Sequence, residues 1–282
     1  MLASQWRSLY LSMLALCVAF SLTSRAQEPT SNEEESRRIR IEFMKEFRDE
    51  FKLYYHDRPD DPLPVMDEPI LRWTNPIRNS FSDGGLFLWL DGKRPAAAAT
   101  VSIRGNGSVW LESASLSPNA LRCNRKNSSY WTPQPRGAGQ QRLKEAPNPA
   151  VTVSGRLVQM RRLAEQFAIR TEPVDEQPSM LRLMPQPIYR YEDQSTGISD
   201  GALFVFAEAT DPEALLLIEA VRPVPAETVF WQYTLAKMTS RPIVARRNDE
   251  VVWSVPSYWL NPRSPNDAYQ ERQLSVYPPP IK

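Results

Sequence analysis

Apolar residues recur at three- and four-residue steps through Ile39, Phe43, Met44, Phe47, Phe51 and Tyr54, the spacing of one face of an α-helix. Glu33, Glu34 and Glu35 precede them, where the helix dipole favours negative charge. Prolines 59, 62 and 64 follow His56 and cannot continue a helix. This pattern predicts a helix over about 32–56. Short apolar stretches then alternate with turn signals at 70–74, 86–90, 96–104, 109–116 and 120–123, the last able to pair with Tyr130–Trp131. Asp91-Gly92 and Gly105-Asn106-Gly107 tolerate positive φ, so these stretches are expected to pair in sequence as an antiparallel meander.

The pattern then starts again. After a segment rich in Pro, Gly and Gln at 132–150, read as a linker, Leu157, Met160, Leu163, Ala164 and Phe167 line a second helical face. Strands are expected at 180–184, 202–208, 215–221, 228–237, 243–246 and 251–255, with an extended, polyproline-like SVYPPPIK at the end. SDGGLFLWL begins at Ser82 and SDGALFVFA at Ser199. Aligned without a gap over 82–103 and 199–220, the two segments share seven of 22 positions. Such self-similarity reads as one unit written twice. LRWTNPIR (71–78) resembles LRLMPQPIYR (181–190), which pairs Arg72 with Arg182 and Arg78 with Arg190. The Asp-Gly of each SDG reads as a turn that opens a hairpin.

The expected fold class is α+β: two tandem repeats of one amphipathic helix followed by an antiparallel meander of about five strands, pseudo-symmetric. A helix before a meander is the order of cystatin-like and NTF2-like folds, which carries no function by itself. The segments RLVQMRRLAEQF (156–167), DGALF (200–204) and TDPEALLLIEA (210–220) resemble an uncharacterised family of exported bacterial proteins with an internal duplication. That resemblance implies no activity, substrate or cofactor.

The ends set the compartment. Arg7, the apolar run 9–22, and small residues Ser24 and Ala26 read as a secretory signal cleaved before Gln27. The apolar run is shorter than the roughly 20 residues that span a bilayer, so no membrane span is expected after cleavage. The organisation is then a signal at 1–26, a first repeat at 27–131, the linker at 132–150, a second repeat at 151–256 and a Pro-rich tail at 257–282. Cleavage leaves Cys123 as the lone cysteine, so the fold is not a disulfide scaffold. Arg122, Arg125 and Lys126 beside it would lower a thiol pKa, although a buried strand cysteine is the plainer reading.

Candidate chemistry is sparse. His56 is the single histidine, which excludes a His-rich metal site and HExxH. The net charge of +1 argues against nucleic acid held by a basic field. No glycine run fits a phosphate loop, and no carboxylate pair is kept across the echo. No cofactor and no metal are implied, and no catalytic residue can be named. Four arginines remain as ligand-binding candidates: Arg72, Arg182, Arg78 and Arg190. On a strand, each could hold a carboxylate or phosphate bidentately, or pair with Asp or Glu across the sheet. The expected function is a non-enzymatic binding or interaction module outside the cytoplasm, with a protein or polysaccharide partner. The alternative is an enzyme with a pocket between helix and concave sheet, working through Asp, Glu, Arg or Tyr.

Overall fold

The computed structural model describes residues 31–74, 82–134, 140–173, 177–222, 228–255 and 264–278. Helix α1 (Ser31–Asp49) leads to β1 (Phe51–Tyr55), β2 (Arg58–Pro62), β3 (Leu71–Thr74), β4 (Ser82–Asp91), β5 (Arg94–Arg104), β6 (Ser108–Ser115), β7 (Leu121–Arg125) and β8 (Ser128–Trp131). A two-residue β9 (Gln141–Arg142) precedes α2 (Val153–Ala164) and β10 (Phe167–Thr171). Then come β11 (Ser179–Met180), β12 (Arg182–Leu183), β13 (Tyr189–Asp193), β14 (Ile198–Glu208), β15 (Asp211–Val221), β16 (Phe230–Lys237), β17 (Ile243–Arg247), β18 (Glu250–Val255) and β19 (Tyr269–Val276). The proposed signal segment and Arg78 lie outside the described residues.

Both helices are shorter than their apolar periodicity predicts. The helical face holds as far as Met44 and Phe47 in α1, and Met160 and Leu163 in α2. Then Phe51, Leu53 and Tyr55 are buried while Lys52 is exposed, which is the period of a strand. Phe167, Ile169 and Thr171 repeat this in β10. Thr152 caps α2, its hydroxyl accepting from Gly155 N at 3.1 Å.

The expected architecture, a helix with a single five-strand meander written twice, is overturned. The chain is mostly β, with two helices and four antiparallel sheets among the described residues. β1 does not pair with β3; it runs beside β7, from Phe51 opposite Arg125 to Tyr55 opposite Leu121. This builds a small sheet in the order β2-β1-β7-β8 and leaves β3, β4, β5 and β6 to a large one in the order β19-β6-β5-β4-β3. The second half makes a small sheet β11-β10-β17-β18 and a large one β12-β14-β15-β16-β9, with β13 also on β14.

Burial on both faces explains the split. In β14, Ala202, Phe204 and Phe206 enter one core while Leu203, Val205 and Ala207 enter another. In β4, Phe87 and Trp89 face one way and Leu86 and Leu88 the other. Strands apolar on both faces need two covers. A helix as short as α2 covers part of one face, and the small sheet covers the rest: Met160, Leu163, Phe167 and Ile169 share a core with Phe204 and Leu216. The remaining faces of the two large sheets cover each other, with Leu86, Leu88, Ala98 and Leu116 against Leu203, Val205, Leu215 and Leu217. Each fully buried Leu or Phe in these layers is worth about 1.5–3 kcal/mol.

The chain divides at Ile39 into an N-terminal unit and a unit from Arg40 to Lys282. In the first, the described residues are the opening turns of α1, where Arg38 pairs with Glu35 at 2.7 Å. In the second, the halves exchange strands. β9, from the segment read as a linker, adds to β16, and Leu143 N donates to Trp231 O at 2.8 Å. β19, from the segment read as a tail, adds eight residues of strand to β6, with Tyr269 opposite Ala114.

Candidate functional site

The echoed Asp is not in a turn. Asp83 sits inside β4 with no exposed surface, and Asp200 inside β14. Asp83 takes the Arg72 guanidinium bidentately, Nε to Oδ1 at 3.0 Å and Nη2 to Oδ2 at 2.6 Å. Arg40, projecting from α1, donates its Nε to Oδ2 at 2.5 Å. Asp200 repeats the arrangement. Arg190 gives Nε to Oδ1 at 2.9 Å and Nη2 to Oδ2 at 2.6 Å, while Arg156 of α2 gives Nε to Oδ2 at 2.9 Å. In each half one buried carboxylate therefore ties a helix and an outer strand to the large sheet. Bidentate, charge-assisted bonds of this kind are among the strongest a side chain makes.

The glycine that follows has a steric purpose. A Cβ on Gly84 would enter the Trp73 ring, and one on Gly201 would lie 2.5 Å from Tyr191 Cζ. Trp73 stands opposite Gly84 and Tyr191 opposite Gly201 in the strand register. Arg72-Trp73 and Arg190-Tyr191 are accordingly the equivalent pairs, which corrects the match of Arg72 with Arg182. Arg182 instead donates Nη2 to Ala209 O at 3.2 Å at the surface. Of the four arginine candidates, the structure brings Arg72 and Arg190 onto buried Asp partners, leaves Arg182 on a backbone carbonyl, and does not describe Arg78. The helix arginines were missed, although Arg40 and Arg156 each stand four residues before a buried Met, Met44 and Met160.

The arginines of the second triad also reach the backbone. Arg156 Nη1 also donates to Val151 O at 2.8 Å and Ala150 O at 3.2 Å, and Arg190 Nη2 to Val153 O at 2.6 Å. These bonds tie down the entry to α2. The hydrogen bond with Asp200 raises the pKa of Arg190 further above its ordinary value, against the opposing effect of burial.

A third buried charge joins the two halves. Glu219 of β15, with no exposed surface, accepts from Arg94 of β5, Nε to Oε1 at 2.8 Å and Nη2 to Oε2 at 3.3 Å. Tyr191 donates its hydroxyl to the same Oε1, and Gln232 Nε2 donates to Oε2 at 2.9 Å. Burial, then the Glu219 charge, holds the Tyr191 phenol well above its usual pKa. The turn that carries Arg94 is gripped as well, since Tyr189 donates its hydroxyl to Lys93 O at 3.1 Å and Lys93 N donates to Asp193 Oδ2 at 3.3 Å. At the opposite turn, Thr210 Oγ1 donates to Thr74 O at 2.5 Å.

The cavities differ widely in size. The cavity in the first core, lined by Phe51, Trp89, Cys123 and Trp131 among others, holds about 10 Å³, the room of a single water. Two larger hollows lie along the crossing strands. One, of about 770 Å³, runs beside β19 at Arg272–Val276. The other, of about 430 Å³, is lined by Arg142, Lys144, Pro147, Phe230 and Trp231 among others. Among the described residues no group of three or more His, Cys, Asp or Glu side chains is arranged to hold a metal. Cys123 is buried, and desolvation pushes its thiol up to about 12, which removes the nucleophile its basic neighbours suggested. No described helix is long and apolar enough to cross a membrane. No protein-family model, curated protein or solved structure matches the chain.

Proposed function

We propose that the chain is an exported, non-enzymatic binding module that engages a macromolecular partner, a protein or polysaccharide, outside the cytoplasm. The observation that carries this reading is where the charge and the space lie. Asp83, Asp200 and Glu219 are occupied by arginines of the chain itself, and all three carboxylates are buried. Among the described residues, two sizeable hollows lie along β19 and β9, at the rims of the large sheets. An enzyme of the alternative kind needs a perturbed acid or base at an open pocket. Here the carboxylates nearest Arg72 and Arg190 are closed over.

The same reading takes the two halves as one duplicated unit. Its support is the matching triads, the matching glycine and ring, and the orders β1-β7-β8 with β4-β5-β6 against β10-β17-β18 with β14-β15-β16. Export, and kinship with the exported bacterial family, belong to the same proposal and rest on the N-terminal pattern and the segments at 156–167 and 200–220.

The test is thermal unfolding of the chain from Gln27 to Lys282 against sugars, polysaccharide fragments, peptides and organic acids. A ligand at 100 times its Kd adds about 2.7 kcal/mol, which moves the midpoint of a chain this size by about 5–10 °C. Shifts with polymer fragments or peptides that survive Arg72→Ala support the binding module. A small organic acid whose shift is lost in Arg72→Ala or Arg190→Ala, or turnover of any panel member, contradicts it.

A further inference from the structure

β19 is the outermost strand of its sheet, and among the described residues it pairs with β6 alone. Its seat carries two penalties. On the face toward the second half, Glu271 stands directly opposite Glu112 of β6. Like charges directly opposed in an antiparallel pair are destabilising. On the other face, Gln270 has no exposed surface, yet neither its side-chain oxygen nor its nitrogen has a hydrogen-bond partner among the described residues. Leaving such groups unmet in a protein interior is costly.

Charges of both signs surround Glu112. Asp211 and Glu213 approach from β15, Arg104 from β5, and Tyr269 and Glu271 from β19, with the Tyr269 hydroxyl donating to Glu271 Oε2 at 3.2 Å. Lys237 of β16 lies near Glu271 and Glu213. Glu112 and Glu271 thus face each other within the field of Asp211 and Glu213. We propose that β19 is a proton-gated latch. A proton on Glu112, where it faces Glu271, seats the strand on β6, and loss of that proton frees the strand and uncovers the edge of β6.

Desolvation first, then Asp211, Glu271 and Glu213, hold Glu112 well above the ordinary carboxyl value of 4.5. A group whose pKa is raised in the seated state stabilises that state at low pH. Its contribution disappears as pH climbs through the raised value. The root of the strand is fastened separately, Trp131 Nε1 donating to Asp267 O at 2.8 Å and Thr132 N to Pro265 O at 2.6 Å. At the far end Tyr277 N donates to Gly107 O at 2.7 Å, a bond that opening must also break before the segment swings from its root. A bared strand edge is a ready template for another strand, so opening would present β6 to a partner.

Amide hydrogen exchange on the mature chain over a pH series, corrected for intrinsic exchange, tests the latch. Expected is an opening constant for 269–276 and 108–115 that rises with pH, by up to about tenfold per unit above the ordinary carboxyl pKa. The opening of β14 and β15 should stay flat over the same range. Glu112→Gln keeps the size of the side chain and should abolish the slope with β19 seated. Glu271→Gln should reduce the slope independently. A flat profile in the wild type, or an unchanged slope in both variants, overturns the proposal.

Discussion

Replacing Glu219 with Ala should be among the most damaging single changes in the chain. The side chain has no exposed surface and Arg94 keeps 8% of its own. The substitution strands a desolvated guanidinium and removes the acceptor of Tyr191 and Gln232. Breaking a buried pair by deleting one partner typically costs about 3–5 kcal/mol, because the remaining charge is left without compensation. That is a third or more of the 5–15 kcal/mol by which folded proteins outweigh their unfolded chains. Arg94 Nη1 keeps Leu116 O at 3.1 Å, which places the expected loss toward the lower part of the range. The assay is guanidinium unfolding at pH 7, with a parallel thermal scan in which the midpoint falls by about 6–20 °C. Tyr191→Phe removes one donor and should cost about 1–2 kcal/mol. The double change Arg94→Met with Glu219→Leu should recover most of the loss, since paired buried charges replaced together by apolar groups are often neutral. A cost below about 1 kcal/mol for Glu219→Ala would refute the reasoning, because the pair would then not be holding the halves together in a desolvated layer.

Gly84→Ala and Gly201→Ala should each cost about 1–3 kcal/mol through overpacking against the Trp73 and Tyr191 rings, read as shifted denaturant midpoints. Rescue of Gly201→Ala by Tyr191→Leu would identify the ring as the cause. Burial lowers the Lys237 ammonium from 10.5 to about 7, against the pull of Glu271, Glu213 and Asp267. Its folded-state value lies below its unfolded one, so stability should climb as pH rises from about 7 toward 10.5, and the difference between wild type and Lys237→Met should vary with pH over 7–9. Cys123, with its thiol pushed up to about 12, should resist a thiol reagent at pH 8 in the native chain and react at once in guanidinium. Rapid native labelling would contradict its burial.

The sequence pattern reached some of this and stopped short of the rest for identifiable reasons. Met44, Phe47, Met160 and Leu163 are core residues on the helical faces their spacing predicts. Phe51 misled, because Phe47 to Phe51 continues the helical step while Phe51, Leu53 and Tyr55 already alternate as a strand. The unbroken apolar runs ALFVFA and ALLLI lack the alternation of a sheet with one wet face. That signal of burial on both faces argued against a single meander under one helix. The SDG echo was visible, but an Asp-Gly pair reads locally as a turn, whereas the aspartate is explained by arginines 11 and 43 residues away. The likeness of LRW to LRL matches Arg72 with Arg182. The ring after each true partner, Trp73 after Arg72 and Tyr191 after Arg190, facing a glycine across the strand pair, was the better guide.

The aspartate of each SDG fastens a helix and a strand to its sheet through arginines of the chain, which makes the motif a structural staple and not a place where a ligand binds. Guanidinium unfolding of Asp83→Asn and Asp200→Asn, with the ligand panel repeated on each, tests that most directly. Both variants should lose comparable stability, about 2–4 kcal/mol after allowing for the partly exposed arginines, and any ligand response of the wild type should persist in whatever fraction remains folded. A variant with wild-type stability that loses a ligand-induced shift would contradict the account and return Arg72 or Arg190 to the role of ligand binder.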